Sequence, residues 1–224
     1  MPEPSQTELV YDRVRHGILE LEILPGQRLS ERGLEAEHGA SRTPVRAALF
    51  RLEAEGLVVR DARAWQAAPI DLDEVAALSE HRAALESTAA RLACARADDA
   101  DLAAFAASVP PEQDTGDQGE GLRRGNDFHL GLARLGGNPF VEAAIADAIT
   151  RMARARWLEL RSAAGRADAW HEHAAIVAAI SRRDADGAAA AIEAHAAANL
   201  DRLLTSLRAD RRTLGARGLR IVGT

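Results

Sequence analysis

Residues 25–58 read PGQRLSERGLEAEHGASRTPVRAALFRLEAEGLV, and their caps and breakers mark out two short helices. Ser30 is placed to cap a helix that runs through Glu37, its hydroxyl serving an amide that has no partner inside the helix. Gly39 ends that helix, because glycine accepts the left-handed turn at no steric cost. Thr43-Pro44 opens the next helix, with proline at the first helical position, where its missing N–H costs least. Val45, Leu49 and Leu52 fall on one face of this helix, and Gly56 stops it.

Working outward, Leu9, Val10, Val14, Ile18 and Leu21 make one apolar stripe, so a first helix fits Thr7 to about Leu21 before Leu24-Pro25-Gly26 breaks it. Downstream, Leu57-Val58-Val59, a polar turn at Arg60–Arg63 and the run from Trp65 to Ile70 read as a β-hairpin, although no Asn-Gly or Asp-Gly marks the turn. Three helices followed by a hairpin is the order of a winged helix-turn-helix. Pro69 to Leu72 is the expected boundary, with Asp71 and Glu74 making a capping-box-like start to the following helix.

Beyond the boundary the pattern is helical throughout. The spacing predicts helices over 72–97, 99–108, 122–136, 139–161, 168–182 and 185–208, with Asn138-Pro139, Asp168 and Asp184 as start signals and a polar loop over 109–121. The expected fold is mainly α: a winged helix-turn-helix over residues 1–69, an antiparallel all-α bundle of about six helices over 70–209, and a flexible tail over 210–224, rich in arginine and glycine.

Composition bounds the function. The 224 residues hold a single cysteine, Cys94, so no intrachain disulfide forms, which suits a reducing cytosol. The N-terminus lacks the basic start and apolar run of a signal peptide, and no uncharged apolar window approaches membrane-spanning length, so a cytoplasmic protein is expected. The net charge of −6 argues against nucleic-acid binding only at first sight, because DNA senses the local field. All 28 basic residues are arginines, and residues 40–52 contain Arg42, Arg46 and Arg51 with no acid. Arg42 and Arg46 bracket the start of the third helix, where a cation opposes the helix dipole and folding alone favours acids. In a helix-turn-helix that end meets base edges in the major groove, and arginine reads guanine there. Arg32 is placed to reach a phosphate, and Arg60 and Arg63 at the hairpin tip to reach the backbone or minor groove. Each of these arginines taken alone also reads as a solvated surface residue.

The same stretch resembles the DNA-binding signature of the GntR family of regulators, in the ordered pieces LSER, SRTPVR and RLEAEGLV. The resemblance implies that Arg32, Ser41, Arg42, Thr43 and Arg46 contact operator DNA. It departs from the family at Ala47, at Phe50 and in the wing Asp61–Ala64, which lacks the usual glycine.

In the helical half, His129, His173 and His195 each lie on an apolar helix face, flanked by Phe128 and Leu132, by Ile176 and Ile180, and by Ile192 and Leu203. Imidazoles from different helices can converge on one ion such as zinc or nickel; separately, each reads as a hydrogen-bonded core histidine. This half resembles the FCD ligand-binding domain of the FadR subfamily, in HRAALE at 81–86, FHLGLARLGGNP at 128–139, EHAAIVAAISRRDADGA at 172–188 and the Ala-His pair at 194–195. The resemblance implies that His129, His173 and His195 hold a divalent metal of zinc, nickel or manganese type, which helps bind a small organic acid. The family's fourth ligand lies four residues before the first histidine, where this chain has Gly125. Asp127 is rotated about 200° away, whereas Asn126 is about 60° off and is the substitute within reach, a water or the effector being the other ways to complete the shell. Arg82 stands where such domains carry an arginine, and it reads either as an i, i+4 partner of Glu86 or as a pocket cation for the effector carboxylate. Arg134 is a second candidate of that kind. His171 is expected at the surface.

The function that follows is a sequence-specific transcription regulator, a repressor and homodimer on double-stranded operator DNA, controlled by a small carboxylate. Two other classes stay in view. A metal-dependent enzyme on a histidine-rich bundle would need a second Glu-x-x-His, and the one present, Glu35 to His38, lies in the DNA-binding half. An architectural DNA-binding dimer would answer to no small acid.

Overall fold

The structure, a computed structural model, describes residues 4–62, 64–109, 118–159 and 163–223. It divides into two units, Met1–Leu72 with Ala209–Thr224, and Asp73–Arg208.

In the first unit, helix α1 spans Gln6–Leu19 and starts at a capping box: Ser5 accepts from the Glu8 amide while the Glu8 carboxylate accepts from the Ser5 amide. Helix α2, Glu31–His38, is capped by the Ser30 hydroxyl and closed by Gly39 in the left-handed conformation. Helix α3 spans Arg42–Ala54. Pro44 is therefore its third residue, not its first as expected, and its missing N–H still falls among the first-turn amides that lack a helical partner. Strands β2 (Val58–Asp61) and β3 (Ala64–Ala67) form the expected hairpin, turning through Ala62 at φ 55°. A two-residue strand β1, Arg28–Leu29, adds to β3, giving an antiparallel sheet in the order β1-β3-β2. Val10, Val14 and Ile18 of α1 meet Val45, Leu49 and Leu52 of α3 and Leu57, Val58 and Trp65 of the hairpin in one buried core. The three-residue and four-residue spacing that marked these helices is the spacing that fills it.

The second unit is built on six helices among the described residues. They are α4 (Leu72–Arg96), α5 (Asp99–Ala107), α6 (Gln118–Leu135), α7 (Pro139–Glu159), α8 (Ala163–Ser181) and α9 (Ala185–Ala216). Asp98 caps α5, Asn138 receives the Phe140 and Val141 amides at the start of α7, and Asp184 receives the Gly187 amide at the start of α9. Helix α8 begins ahead of Asp168, which lies inside it and caps nothing. The loop expected over 109–121 falls partly on residues 110–117, outside the described residues, and from Gln118 the chain is already helical. Phe105, Phe128, Leu132, Ile145, Ile176 and Ile192 form the core, with Ala89, Ala90 and Ala188 allowing the helices to approach closely.

The segment from residue 210, expected to be flexible, is instead folded. Helix α9 continues to Ala216, and strand β5 (Ile221–Val222) pairs in parallel with β4 (Ile70–Asp71). Arg220 donates from its backbone to Pro25 and accepts from Ile70, and Leu219 and Ile221 are buried. Gly26, read as a helix breaker, has a further reason to be glycine: it lies at φ 86°, and a Cβ there would stand 2.6 Å from the Arg220 Cβ. Burying two aliphatic side chains is worth about 1.5–3 kcal/mol each, so deleting residues 219–224 should lower the urea-unfolding free energy by roughly 2–5 kcal/mol. An unchanged unfolding midpoint would show that the strand contributes nothing.

Candidate operator interface and candidate metal centre

The first turns of α2 and α3 bring Arg32, Ser41, Arg42, Thr43 and Arg46 to the surface, all exposed. Ser41 spends no side-chain bond on capping α3. Arg63 lies outside the described residues. Glu31, which the sequence reading did not single out, draws Arg42 and Arg46 together. Arg42 Nε donates to Glu31 Oε2 at 2.8 Å, and Arg46 Nε lies 3.6 Å from Oε1. Trp65 Nε1 donates to the same carboxylate at 3.2 Å, tying the wing to the recognition helix. Burial pushes the Glu31 carboxyl up, but hydrogen bonds from Trp65 and Arg42 and the charges of Arg42 and Arg46 outweigh it and hold it below the ordinary carboxylate range. Phe50, 45% exposed, meets Trp65 edge-on at 5.4 Å. The Arg60 guanidinium lies 4.1 Å over Trp65 and 4.9 Å from the Phe50 ring, so cation–π attraction fixes the wing arginine where the wing lacks its usual glycine.

In the helical unit the three histidines converge. His129 on α6, His173 on α8 and His195 on α9 are each at most 2% exposed, and their ligand atoms lie within 4.8 Å of one another. Phe128 stacks on His173 at 3.9 Å, fixing that ring. Desolvation, reinforced by neighbouring cations and imidazoles, drives the pKa of His129 and His173 well below the ordinary value, so both are neutral. His195 is lowered chiefly by desolvation, against the pull of Glu172.

The donor set fits a metal ion. Both ring nitrogens of His129 and His173, and Nε2 of His195, are buried without a hydrogen-bond partner. His129 Nδ1 comes within 3.0 Å of Glu86 Oε1, but the pair is not aligned as a hydrogen bond. His195 Nδ1 is 2.6 Å from Glu172 Oε2, which leaves the lone pair on Nε2, and Arg202 grips the same carboxylate at 2.7 and 3.0 Å. A carboxylate behind a ligating imidazole orients the ring and raises its basicity. Burial pushes the Glu172 carboxyl up, but the bonds and charges of His195 and Arg202 prevail and hold it down at about 2.

Arg82 and Glu86 are both fully buried, 3.4 Å apart, and so are not a solvated surface pair. No guanidinium nitrogen of Arg82 has a hydrogen-bond partner. Asn126, the expected substitute ligand, instead gives its Oδ1 to Arg156 Nη1 at 2.5 Å. Arg134 is corrected: it lies 63% exposed and paired with Glu142, because five residues beyond His129 is about 140° round the helix. His171 is exposed, as expected. Arg156 and Glu172 were not singled out as site residues, and Glu86 was read only as the i, i+4 partner of Arg82.

A winged helix-turn-helix joined to an all-α unit with a buried histidine cluster defines a transcription regulator that pairs a DNA-reading part with a ligand-sensing part. Residues 6–64 match the bacterial regulatory proteins of the gntR family and residues 77–198 match the FCD domain. The chain belongs to the GntR family, a family of transcription regulators and not of enzymes. It is 32% identical over 187 residues to the Nta operon transcriptional regulator of Aminobacter aminovorans, covering 82% of this chain and 88% of that one. It is 31% identical over 194 residues to an uncharacterized HTH-type transcriptional regulator in an unstable DNA locus of Streptomyces ambofaciens, covering 86% and 82%. Two solved structures share the fold. E. coli McbR/YncC superposes with TM-score 0.72 at 22% identity, covering 91% of this chain and 99% of that one. A GntR regulator of Rhodococcus sp. RHA1 superposes with TM-score 0.73 at 19% identity, with the same coverage. GntR regulators bind DNA, and FCD domains bind small-molecule effectors and often a metal. Among the described residues no helix is long and apolar enough to cross a membrane.

Because Glu31 offsets two cations on the DNA-reading face, Glu31→Gln should raise affinity for non-specific DNA and steepen its salt dependence by about one unit of log–log slope. It should also lower the operator-to-nonspecific ratio, since the arginines lose the group that aims them. A salt slope and ratio equal to wild type in filter binding would refute this role.

Proposed function

We propose that this regulator is a cytoplasmic repressor that binds operator DNA as a homodimer and answers to a small carboxylic acid held beside a divalent ion in the helical unit. The observation that carries the sensing half is Arg82. A fully buried guanidinium with no hydrogen-bonded nitrogen and only Glu86 at 3.4 Å, beside three imidazoles with orphan nitrogens, supports a site for an anion. His129, His173 and His195 would hold the ion, and neutral imidazole suits zinc or nickel, with manganese a weaker match. The bound ion would supply Lewis-acid attraction for a carboxylate. Arg82 would take the same carboxylate with its planar fork, and Glu172 would keep His195 in the ligating tautomer.

On the output side, Arg42 and Arg46 would read base edges, Thr43 would support them, and Arg32 and Ser41 would hold phosphates. A helix-turn-helix of this size reads one half-site, and two-fold symmetric operators are matched by two-fold symmetric dimers, which is the argument for a homodimer.

Two measurements test the reading. Arg46→Ala should weaken operator binding by roughly 5- to 150-fold with helical content unchanged, the loss of one bidentate base contact; the same footprint at the same affinity would sink the assignment. In a thermal-shift screen of small organic acids with added zinc, nickel or manganese, at least one acid should raise the melting temperature of the wild type but not of His129→Ala/His173→Ala, and should change operator affinity. If no acid shifts either quantity, the chain is an architectural DNA-binding dimer.

A further inference from the structure

Gly125 stands one helical turn before His129 on the same face of α6, the place from which a side chain would reach the histidine cluster. That place is filled from another helix. Arg156 on α7, only 4% exposed, puts Nη2 2.8 Å from where a Cβ at Gly125 would be, and its Nη1 donates to Asn126 on the same turn of α6. Any side chain at 125 would have to displace the guanidinium. The charge of Arg156 also bears on His129 and His173, which places it electrostatically beside the cluster.

The charges around the cluster do not favour a cation by themselves. Among the described residues Arg82 and Arg156 are buried cations, and Glu86, 3.4 Å from Arg82, is a buried acid. Glu172 lies behind His195 and is already gripped by Arg202. A divalent ion on the three imidazoles would thus have a guanidinium, and no side-chain carboxylate, on its Gly125 side.

We propose that in this chain the fourth side of the histidine site belongs to an exogenous carboxylate bound jointly by the metal and by Arg156, so that metal and acid are each held tightly only in the presence of the other. This rests on the metal-and-carboxylate reading above and goes beyond it: a carboxylate at position 125 would make metal retention constitutive, whereas Gly125 with Arg156 makes it conditional on the acid. Such coupling is reciprocal by thermodynamic necessity, and its usual size is roughly 5- to 150-fold.

The test is zinc affinity of the full-length protein by competition with a chromogenic chelator, at constant ionic strength in weakly coordinating perchlorate, with and without acetate, corrected for zinc bound by acetate itself. Acetate should tighten zinc binding to the wild type by roughly 5- to 150-fold. Arg156→Gln keeps a hydrogen-bonding side chain near Asn126 without the charge and should lose most of that enhancement. Gly125→Asp/Arg156→Gln should hold zinc tightly with no acetate present. Circular dichroism checks the fold of each variant, and the wild-type comparison decides the coupling even if a variant folds poorly. Equal zinc affinity with and without acetate in the wild type would overturn the proposal while leaving the three-histidine site standing. An undiminished acetate effect in Arg156→Gln, or a double variant that still needs acetate, would overturn the part given to Arg156. No zinc bound by any form in either medium would overturn the metal reading itself.

Discussion

A guanidinium removed from water must be compensated by the groups around it, and the helical unit of this regulator buries Arg82 completely. The effective desolvation penalty is several kcal/mol per ion even after relaxation, and a single removed partner leaves the other charge uncompensated. Glu86 at 3.4 Å answers that charge in part, without an aligned hydrogen bond, and burial pushes its own carboxyl up. Replacing such a pair with well-packed aliphatic side chains is often neutral or stabilising. A core selected only for stability would therefore hold leucine here. Arg82, Glu86 and three histidines together in the interior therefore ask for a reason other than packing.

The neutrality of the histidines follows from the same constraint. His129 and His173 are desolvated near buried cations, so protonating either would add a further uncompensated charge, whereas Glu172 partly opposes the desolvation of His195. Neutral imidazole is also the form that ligates a metal, so the burial that makes the site expensive prepares it chemically. Phe128 stacked on His173 and Glu172 bonded to His195 then fix two of the three rings before anything binds. Preorganisation of this kind is what allows a small ligand to bind without spending its interaction energy on ordering side chains.

How much of this was legible follows from the range of each signal. The helix-turn-helix could be read because its determinants are local: the Ser30 hydroxyl, the left-handed Gly39 and the apolar spacing Val45, Leu49, Leu52 all act within a few residues. Strands β1, β4 and β5, of two residues each, could not be read, since they exist only through partners distant in sequence, Arg28 with Gln66 and Ile70 with Ile221. That is why a folded C-terminal segment looked like a frayed one. In the helical unit the histidines stood out because each shares a face with large aliphatic residues. Arg156 and Glu172 did not, because α7, α8 and α9 carry alanine on every face and the helical wheel loses its contrast. Arg134 was misassigned for another reason: five residues beyond His129 is about 140° round helix α6, a rotation the sequence already carried.

In the helix-turn-helix unit, an acid sits among the exposed arginines of the second and third helices. Arg42 and Arg46 left free on the surface would bind any duplex through charge alone, a term that carries no sequence information. Glu31 holds both by their Nε atoms and is itself fixed by Trp65 of the wing. A cost common to every site leaves the difference between affinities unchanged, so Glu31 would raise discrimination only through direction: a guanidinium fork held at a fixed angle would match one base edge and fit a phosphate elsewhere less well.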